Sequence, residues 1–536
     1  MMGEPETFEA SVTVRVGVTG QRSLQDESRV SASIRKVLSR IDQILSHTPH
    51  SYVALTSLSE GSDRILASEV LAWEKSGRVQ GTGLEILLPV PRDEYLEECA
   101  THESREACVS FLESASRVEV VSSAGERRDE VCEEIGQTIV QNCDVLIAIW
   151  NGRPSSRLGG TAEMVRYARR FGRTLFWIHA DSGKVTEERH GDGILECYEY
   201  LDAYNSEEIP EMELGKRMGE RYSRLLEKAR LSGLDPDFLE PLAGSLLPYY
   251  VRCMMLSGRY QRRYMWAGTA VYVLAAVAVA TVTIQTLFFS QYPALLWIEV
   301  VEMGVILFLI MASRFRDWHR KWVDYRFLSE RLRTAMFLSL FCIRVEKPSP
   351  PRHLKVFYES EDWIEIAFAR ILARRPMEYC RVDLPFDRLK QFLLSAWIDD
   401  QISFYTRNST WNSQRFELLA QVSDVLFSAT LVLAALHALG VEHRLAFDLS
   451  PFLAGLTIVL PAIAAAVGAI RVKREYLRNA ERYAHMVRPL SLIRNRIVQT
   501  QDPEMLMQLL QEAHEVTFRE QQDWRVVFRF RELETP

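Results

Sequence analysis

The 536-residue chain reads as an α/β domain with a parallel sheet, followed by an all-α membrane region with four transmembrane helices in two duplicated hairpins. Three observations predict this. Strand-like and helix-like runs alternate from Ser11 to about position 180. Two stretches, Ala267–Ala312 and Val422–Ile470, each hold two apolar runs, and roughly 20 apolar residues cross about 30 Å of hydrocarbon. A short pattern then recurs: Tyr325-Arg-Phe-Leu-Ser-Glu-Arg331 and Tyr476-Leu-Arg-Asn-Ala-Glu-Arg482 both read Tyr-x-x-x-small-Glu-Arg, 476 − 325 = 151 residues apart. Self-similarity at a fixed offset signals an internal repeat.

The first strand is Val12–Val18, and Ser28–Thr48 has helical period. Tyr52–Ser57 is the second strand, with a helix from Ser62. Leu84–Pro89, Ser116–Val121, Val145–Trp150 and Thr174–His179 complete six. Nearly continuous apolar strands separated by helices imply a parallel, Rossmann-like sheet covered on both faces. Ligands of such sheets bind outside the carboxyl ends of the strands.

Three loops fall there. Gly17, Thr19, Gly20, Gln21 and Arg22 follow strand one. Ser57, Glu60, Gly61, Asp63 and Arg64 follow strand two. Trp150, Asn151 and Gly152 follow strand five, and Gly159, Gly160, Thr161 and Glu163 open the next helix. Small residues allow close backbone approach, helix N-termini attract phosphate, and Arg22 and Arg64 offer charge-assisted hydrogen bonds. The set predicts a phosphate or nucleotide pocket. Each loop alone is weaker, because Gly-Thr turns also simply cap helices. Glu60 and Asp63 are candidates for ribose hydroxyls; equally, acidic residues in a first helical turn complement the helix dipole.

Charged residues make up 25%, the net charge is −7 and the mean hydropathy is −0.09. The acidic balance argues against direct nucleic-acid binding. The eight cysteines (Cys99, Cys108, Cys132, Cys143, Cys197, Cys253, Cys342, Cys380) show no CxxC or Cys/His cluster, so no metal site is expected and reduced thiols are the default. His179 and His190 have no metal-like partners. The N-terminal MMGEPETFEA has neither a basic nor an apolar signal region, so no cleavable signal is expected.

The chain divides into a nucleotide-binding domain (11–180), a helical linker (181–247), a first membrane unit (248–343), a connecting segment (344–385), a second membrane unit (386–500) and a tail (501–536). Arg259, Arg262 and Arg263 precede the first span, Arg314, Arg316, Arg320 and Lys321 follow the second, Arg415 precedes the third, and Arg471, Lys473 and Arg474 follow the fourth. Of the outer-loop residues only Arg444 is basic, so the positive-inside rule places both termini in the cytoplasm. Trp266 and Trp297 suit the interfaces. Ala335–Ile343 is too short to cross and is expected to pack on another helix. Polar groups inside spans are costly and usually functional. Glu299 and Glu302 share a face of span two and Asp424 lies in span three; all three are pore-lining candidates, with interfacial solvation the alternative for Glu299 and Asp424. Pro461 predicts a kink in span four. The stretch WRVVFRFREL near the end alternates like a strand.

Two resemblances add to this reading. GVTGQRSL (Gly17–Leu24), LTSLSEGSDRILASE (Leu55–Glu69), DVLIAIWNG (Asp144–Gly152) and GGTAEMV (Gly159–Val165) together resemble the SLOG family. That resemblance implies binding of nucleotides or nucleotide-derived molecules. The family's hydrolase branch uses an arginine and a loop glutamate, here matching Arg22 and Glu163. Leu158-Gly-Gly-Thr-Ala-Glu163 lacks that loop's proline and full spacing, which favours sensing over hydrolysis. Both hairpins, with their trailing Tyr-x-x-x-small-Glu-Arg helices and, in the second copy, Trp397-Ile-Asp-Asp-Gln401 and Tyr405, resemble the SLATT family of two-helix membrane effectors. That implies pore formation or membrane disruption, as an effector of bacterial anti-phage or nucleotide-signalling systems. Two short hairpins per chain cannot enclose a wide pore, so a homo-oligomer in contact with lipid in a bacterial inner membrane is expected. The alternatives are a membrane-anchored nucleotide hydrolase and a structural scaffold with a vestigial pocket.

Overall fold

The computed structural model describes residues 8–73, 78–99, 101–121, 128–153, 159–189, 193–340, 362–375, 384–440 and 449–529. They form two compact units, Met1–Glu208 with Ser349–Ala373, and Ile209–Pro348 with Arg374–Pro536.

In the first unit the elements run β1 (Val12–Gly20), α1 (Glu27–Ile44), β2 (His50–Thr56), α2 (Ser62–Ala72), β3 (Val79–Leu88), α3 (Arg92–Glu97), α4 (His102–Ser114), β4 (Arg117–Val120), α5 (Arg128–Asn142), β5 (Val145–Trp150), α6 (Thr161–Arg170), β6 (Thr174–His179), β7 (Val185–Glu188) and α7 (Ile194–Asn205). The strand order is β4-β3-β2-β1-β5-β6-β7, parallel throughout except for β7. All six predicted strands are present. The seventh was read as linker because its sequence, VTEE, is short and polar. It pairs antiparallel with β6, and Arg169 binds Glu188 at 2.8 Å across this edge.

Helix α1 begins where the Asp26 carboxylate accepts from Arg29 N at 3.0 Å, a side-chain cap for an otherwise unpaired N–H. It buries Val30, Ile34, Val37, Leu38 and Ile41, the i, i+4, i+7 stripe of a core-facing helix. Right-handed crossovers place α1 and α2 on one face of the sheet and α5 and α6 on the other. The α5–α6 face packs Ile135, Ile139, Met164 and Val165 against Leu146 and Ala148. The strand order reverses between β1 and β5, which makes their carboxyl ends the switch point of the sheet.

A further helix, α13 in chain order, also belongs to this unit. It is Trp363–Ala373, whose buried Trp363, Ile364, Ala367, Phe368 and Ile371 form one stripe against α7 and β1. Trp363 lies 5.6 Å from the Tyr204 ring. The compact unit thus extends beyond the 11–180 segment read from sequence and takes in part of the connecting segment.

The second unit is helical: α8 (Glu211–Leu231), α9 (Glu240–Ser245), α10 (Leu247–Phe288), α11 (Leu296–Phe315), α12 (Trp318–Ser339), α14 (Phe386–Leu393), α15 (Asp399–Ala438), α16 (Ser450–Lys473), α17 (Tyr476–Gln499) and α18 (Pro503–Arg529). Among the described residues four helices are long and apolar enough to cross a membrane. Their spans lie in α10, α11, α15 and α16. Helices α10 and α16 pack together, so the two hairpins form one bundle. Pro461 lies inside the continuous helix α16. Ala335–Leu340 is buried, with Phe337 stacked on Trp397 at 5.7 Å.

Two expectations are corrected here. The stretch from Trp524 to Arg529, read as a strand, is the last part of helix α18. The two Tyr-x-x-x-small-Glu-Arg motifs are also not equivalent: Tyr325 is the eighth residue of α12, whereas Tyr476 is the first of α17. The equivalent junctions are Arg316-Asp317-Trp318-His319-Arg320 and Arg474-Glu475-Tyr476-Leu477-Arg478, 475 − 317 = 158 residues apart. Asp317 (φ 49°) and Glu475 (φ 51°) both adopt the left-handed conformation. Their backbone hydrogen bonds repeat at the same offset: Arg316 N to Ala312 O and Arg474 N to Ile470 O, Asp317 N to Arg314 O and Glu475 N to Val472 O, Lys321 N to Asp317 O and Asn479 N to Glu475 O. Non-glycine residues in this region are strained by roughly 1–2 kcal/mol, so its occurrence at both junctions marks a real duplication.

Candidate functional site

The carboxyl ends of β1, β2 and β5 open onto a cavity of about 660 Å³. Its wall includes Thr19, Gly20, Gln21 and Arg22 after β1, Ser57, Glu60, Asp63 and Arg64 after β2, and Trp150, Asn151, Gly159, Gly160 and Thr161 from the third predicted loop pair. Gly17, Gly61, Gly152 and Glu163 lie off that wall.

The reasons differ. A Cβ on Gly17 would sit 2.8 Å from Ile139 Cγ2 and 2.9 Å from Cys143 Cβ, so this glycine lets β1 close on α5. Gly61 has φ +80°, and a Cβ there would meet Arg22 O at 2.3 Å. It holds the β2–α2 loop against the β1–α1 loop, an arrangement secured by Ser62 Oγ donating to Gln21 O at 2.9 Å. Glu163 reaches back to accept from Gly159 N at 2.9 Å, in the manner of a capping box.

The charged residues of the wall divide in the same way. Asp63 is buried and its Oδ2 accepts from Thr56 Oγ1 at 3.0 Å and Ser57 Oγ at 2.7 Å. Burial pushes its carboxyl above the usual range, against these hydrogen bonds. Arg64 donates to Ser104 Oγ at 2.8 Å, to Leu58 O at 3.3 Å and to Cys108 Sγ at 3.1 Å. Ser104 also donates to Glu60. These three side chains shape the loop. Arg22 is exposed on the wall and makes no hydrogen bond or ion pair to the described residues.

Sequence reasoning missed Arg153, which lines the cavity one residue beyond the Trp-Asn-Gly run; its side chain likewise has no partner among the described residues. It also missed Tyr95, whose hydroxyl donates to Ser57 O at 3.2 Å. No motif marks Tyr95; only its place after β3 hints at the cavity.

Two helices begin at this cavity, α2 with Gly61 as N-cap and α6 with Gly160 as N-cap, and neither has a side-chain cap. Their first-turn N–H groups and dipoles favour an anion. With Arg22 and Arg153, the arrangement suits phosphate chemistry. Among the described residues no group of three His, Cys, Asp or Glu is placed to hold a metal.

In the membrane unit Glu302 Oε1 accepts from Thr281 Oγ1 of α10 at 3.1 Å, while Oε2 is buried without a hydrogen-bond partner among the described residues. Glu299 is half-buried in the first turn of α11, and Asp424 is exposed on α15.

Residues 394–524 match the family model SLATT_1, the SMODS and SLOG-associating 2TM effector domain 1. The matched SLATT segment runs from the turn before α15 through both apolar helices of the second hairpin and α17 into α18. It extends past position 500, so most of the predicted tail lies within the SLATT match. The first hairpin and the α/β unit lie outside it. No curated protein matches the chain.

Proposed function

We infer that this chain is a ligand-gated membrane effector. The α/β unit takes a nucleotide-derived signal at the switch-point cavity, and the hairpins of several copies assemble into a pore in a bacterial inner membrane. One observation carries the reading: a single chain joins a phosphate-suited cavity to a segment that matches a two-transmembrane effector family. The family's description names SLOG association, and the loops around the cavity are those that resemble SLOG.

In this reading the phosphates lie over the N-termini of α2 and α6, with Arg22 and Arg153 closing on them. Two hairpins cannot enclose a wide channel, so the pore needs several copies. Glu302, with one carboxylate oxygen unpaired among the described residues, is the strongest cation-attracting candidate among the span residues. The chain passes between the two compact units at 208/209 and 373/374, and once more between the described residues 340 and 362. Those connections give a ligand several routes to bias the membrane unit, provided it binds the open state better than the closed one. Hydrolysis is the weaker reading, because Glu163 is engaged with Gly159 N and lies off the wall.

The test is thermal stabilisation of the full chain in detergent by cyclic nucleotides, cyclic oligonucleotides, ADP-ribose species and NAD. A true ligand stabilises increasingly with concentration, by about 2.7 kcal/mol at a hundred times its Kd. The effect should vanish in Arg22→Ala, and the same ligand should then trigger ion flux from liposomes carrying the protein. Consumption of the ligand would move the assignment to a hydrolase. Absence of any stabilisation by these classes would sink the sensor reading.

A further inference from the structure

The membrane unit holds a second large cavity, of about 560 Å³. It lies where both hairpins continue into polar helices. Residues 261–269 of α10 and 408–412 of α15 contribute to it, as do the beginnings of α12 and α17 and the end of α18. It is strongly basic: Arg262, Arg326, Lys473 and Arg474 face a single carboxylate, Glu475, which is ion-paired with Arg478 at 3.6 Å.

The cations are held in place. Lys473 Nζ donates to Tyr264 OH at 2.8 Å and lies 4.9 Å over that ring. Arg474 donates to Thr269 Oγ1 at 2.9 Å. Both residues therefore bridge the end of α16 to α10. Trp322 also lines the cavity, and its indole N–H is buried with no hydrogen-bond partner among the described residues. Trp266 and Trp411, on the same cavity, are 64% and 49% exposed. Trp266 directly precedes the apolar run from Ala267, and a tryptophan at the end of an apolar span marks headgroup level. A basic pocket between spans at that level suits an anionic lipid headgroup.

We propose that this cavity binds the phosphate-bearing headgroup of an anionic phospholipid, with Arg262, Lys473 and Arg474 as phosphate donors and Trp266 against the glycerol and upper acyl region. Lipid there joins the two hairpins at their duplicated junctions. Net positive charge, a spare indole donor and an interfacial tryptophan then have a common purpose.

The test measures the thermal midpoint of the full chain in an uncharged detergent with added dioleoylphosphatidylglycerol, dioleoylphosphatidylcholine or inorganic phosphate. Phosphatidylglycerol should stabilise at concentrations where the other two do not. Arg262→Gln changes an exposed side chain with no hydrogen-bond partner among the described residues, so it should fold normally and need about fivefold more lipid, the worth of one cation near a membrane surface. Arg22→Ala should respond as the native chain does, which separates this site from the switch-point cavity. Equal stabilisation by the two lipids, or an unchanged lipid requirement in Arg262→Gln, overturns the proposal. Stabilisation by inorganic phosphate at equal concentration assigns the cavity to a free phosphate and overturns the lipid source. Native mass spectrometry gives an independent readout: the native chain should retain phosphatidylglycerol that Arg262→Gln loses, and equal retention counts against the site.

Discussion

His514 lies in α18 at 7% exposure, and neither ring nitrogen is hydrogen-bonded to a described residue. Burial, aided by the nearby Arg331 charge, holds its imidazole down at about 4, against an ordinary 6.5. A histidine depressed in the folded state adds stability above its unfolded value and loses it as pH falls toward the folded one. Acidification from pH 7 to 5 should therefore cost about 2 kcal/mol from this residue alone. His514→Leu should flatten that pH profile, read as the thermal midpoint across pH 4 to 7. At the nucleotide-site candidate, Gly20→Ala places a Cβ 2.3 Å from Ser62 Oγ and 2.6 Å from Ser62 Cβ. Overpacking of this kind should destabilise by about 1–3 kcal/mol in a thermal melt. Arg22→Ala, by contrast, should stay within about 0.5 kcal/mol of the native chain without ligand, because its side chain touches so little. Both residues stand in one legible sequence motif. Which is structural and which is free was not legible, because that depends on the loop facing them.

Helix α18 shows how an element can be misread. Trp524 and Phe528 are four apart and share a helical face. Trp524 packs 5.7 Å from Trp322, and the Phe528 carbonyl meets His319 Nε2 at 2.5 Å. Arg525 binds the buried Asp324 at 2.9 Å. The apparent alternation arose because Val526 and Val527 are apolar as well, though both are exposed. Contacts with α12 decide the helix, and no local pattern contains them. Asp324→Ala leaves Arg525 without this partner in a mostly buried setting and should cost about 3 kcal/mol, measurable as a lower thermal midpoint. The repeat shows the same limit. The heptapeptides pointed to a duplication, but their offset of 151 is one heptad short of the 158 that the left-handed junction residues share. A seven-residue slip nearly preserves a helical face, so sequence periodicity alone could not exclude it.

For the whole molecule the testable statement is topology. If the basic flanks lie in the cytoplasm, Gln291→Cys in the first hairpin loop and Leu449→Cys before the fourth span should react with an impermeant thiol reagent from the outer face of intact cells. Ser223→Cys, at an exposed position of α8, should react only after lysis. Labelling of all three from one side would refute the four-span arrangement.

Much of this protein follows from its sequence alone: six parallel strands, four apolar spans, two hairpins, and three glycine-rich loops at one sheet edge. Each is written in local composition and period, because burial of an element depends on its own residues. Tertiary structure decided the rest. It put α13 with the sheet, fixed the junction register, committed Asp63, Arg64 and Glu163 to holding loops, and left the Arg22 and Arg153 side chains at the cavity without partners among the described residues. The reason is physical: a side chain's periodicity tells which way it faces, but its partner is chosen by packing between segments far apart in the chain.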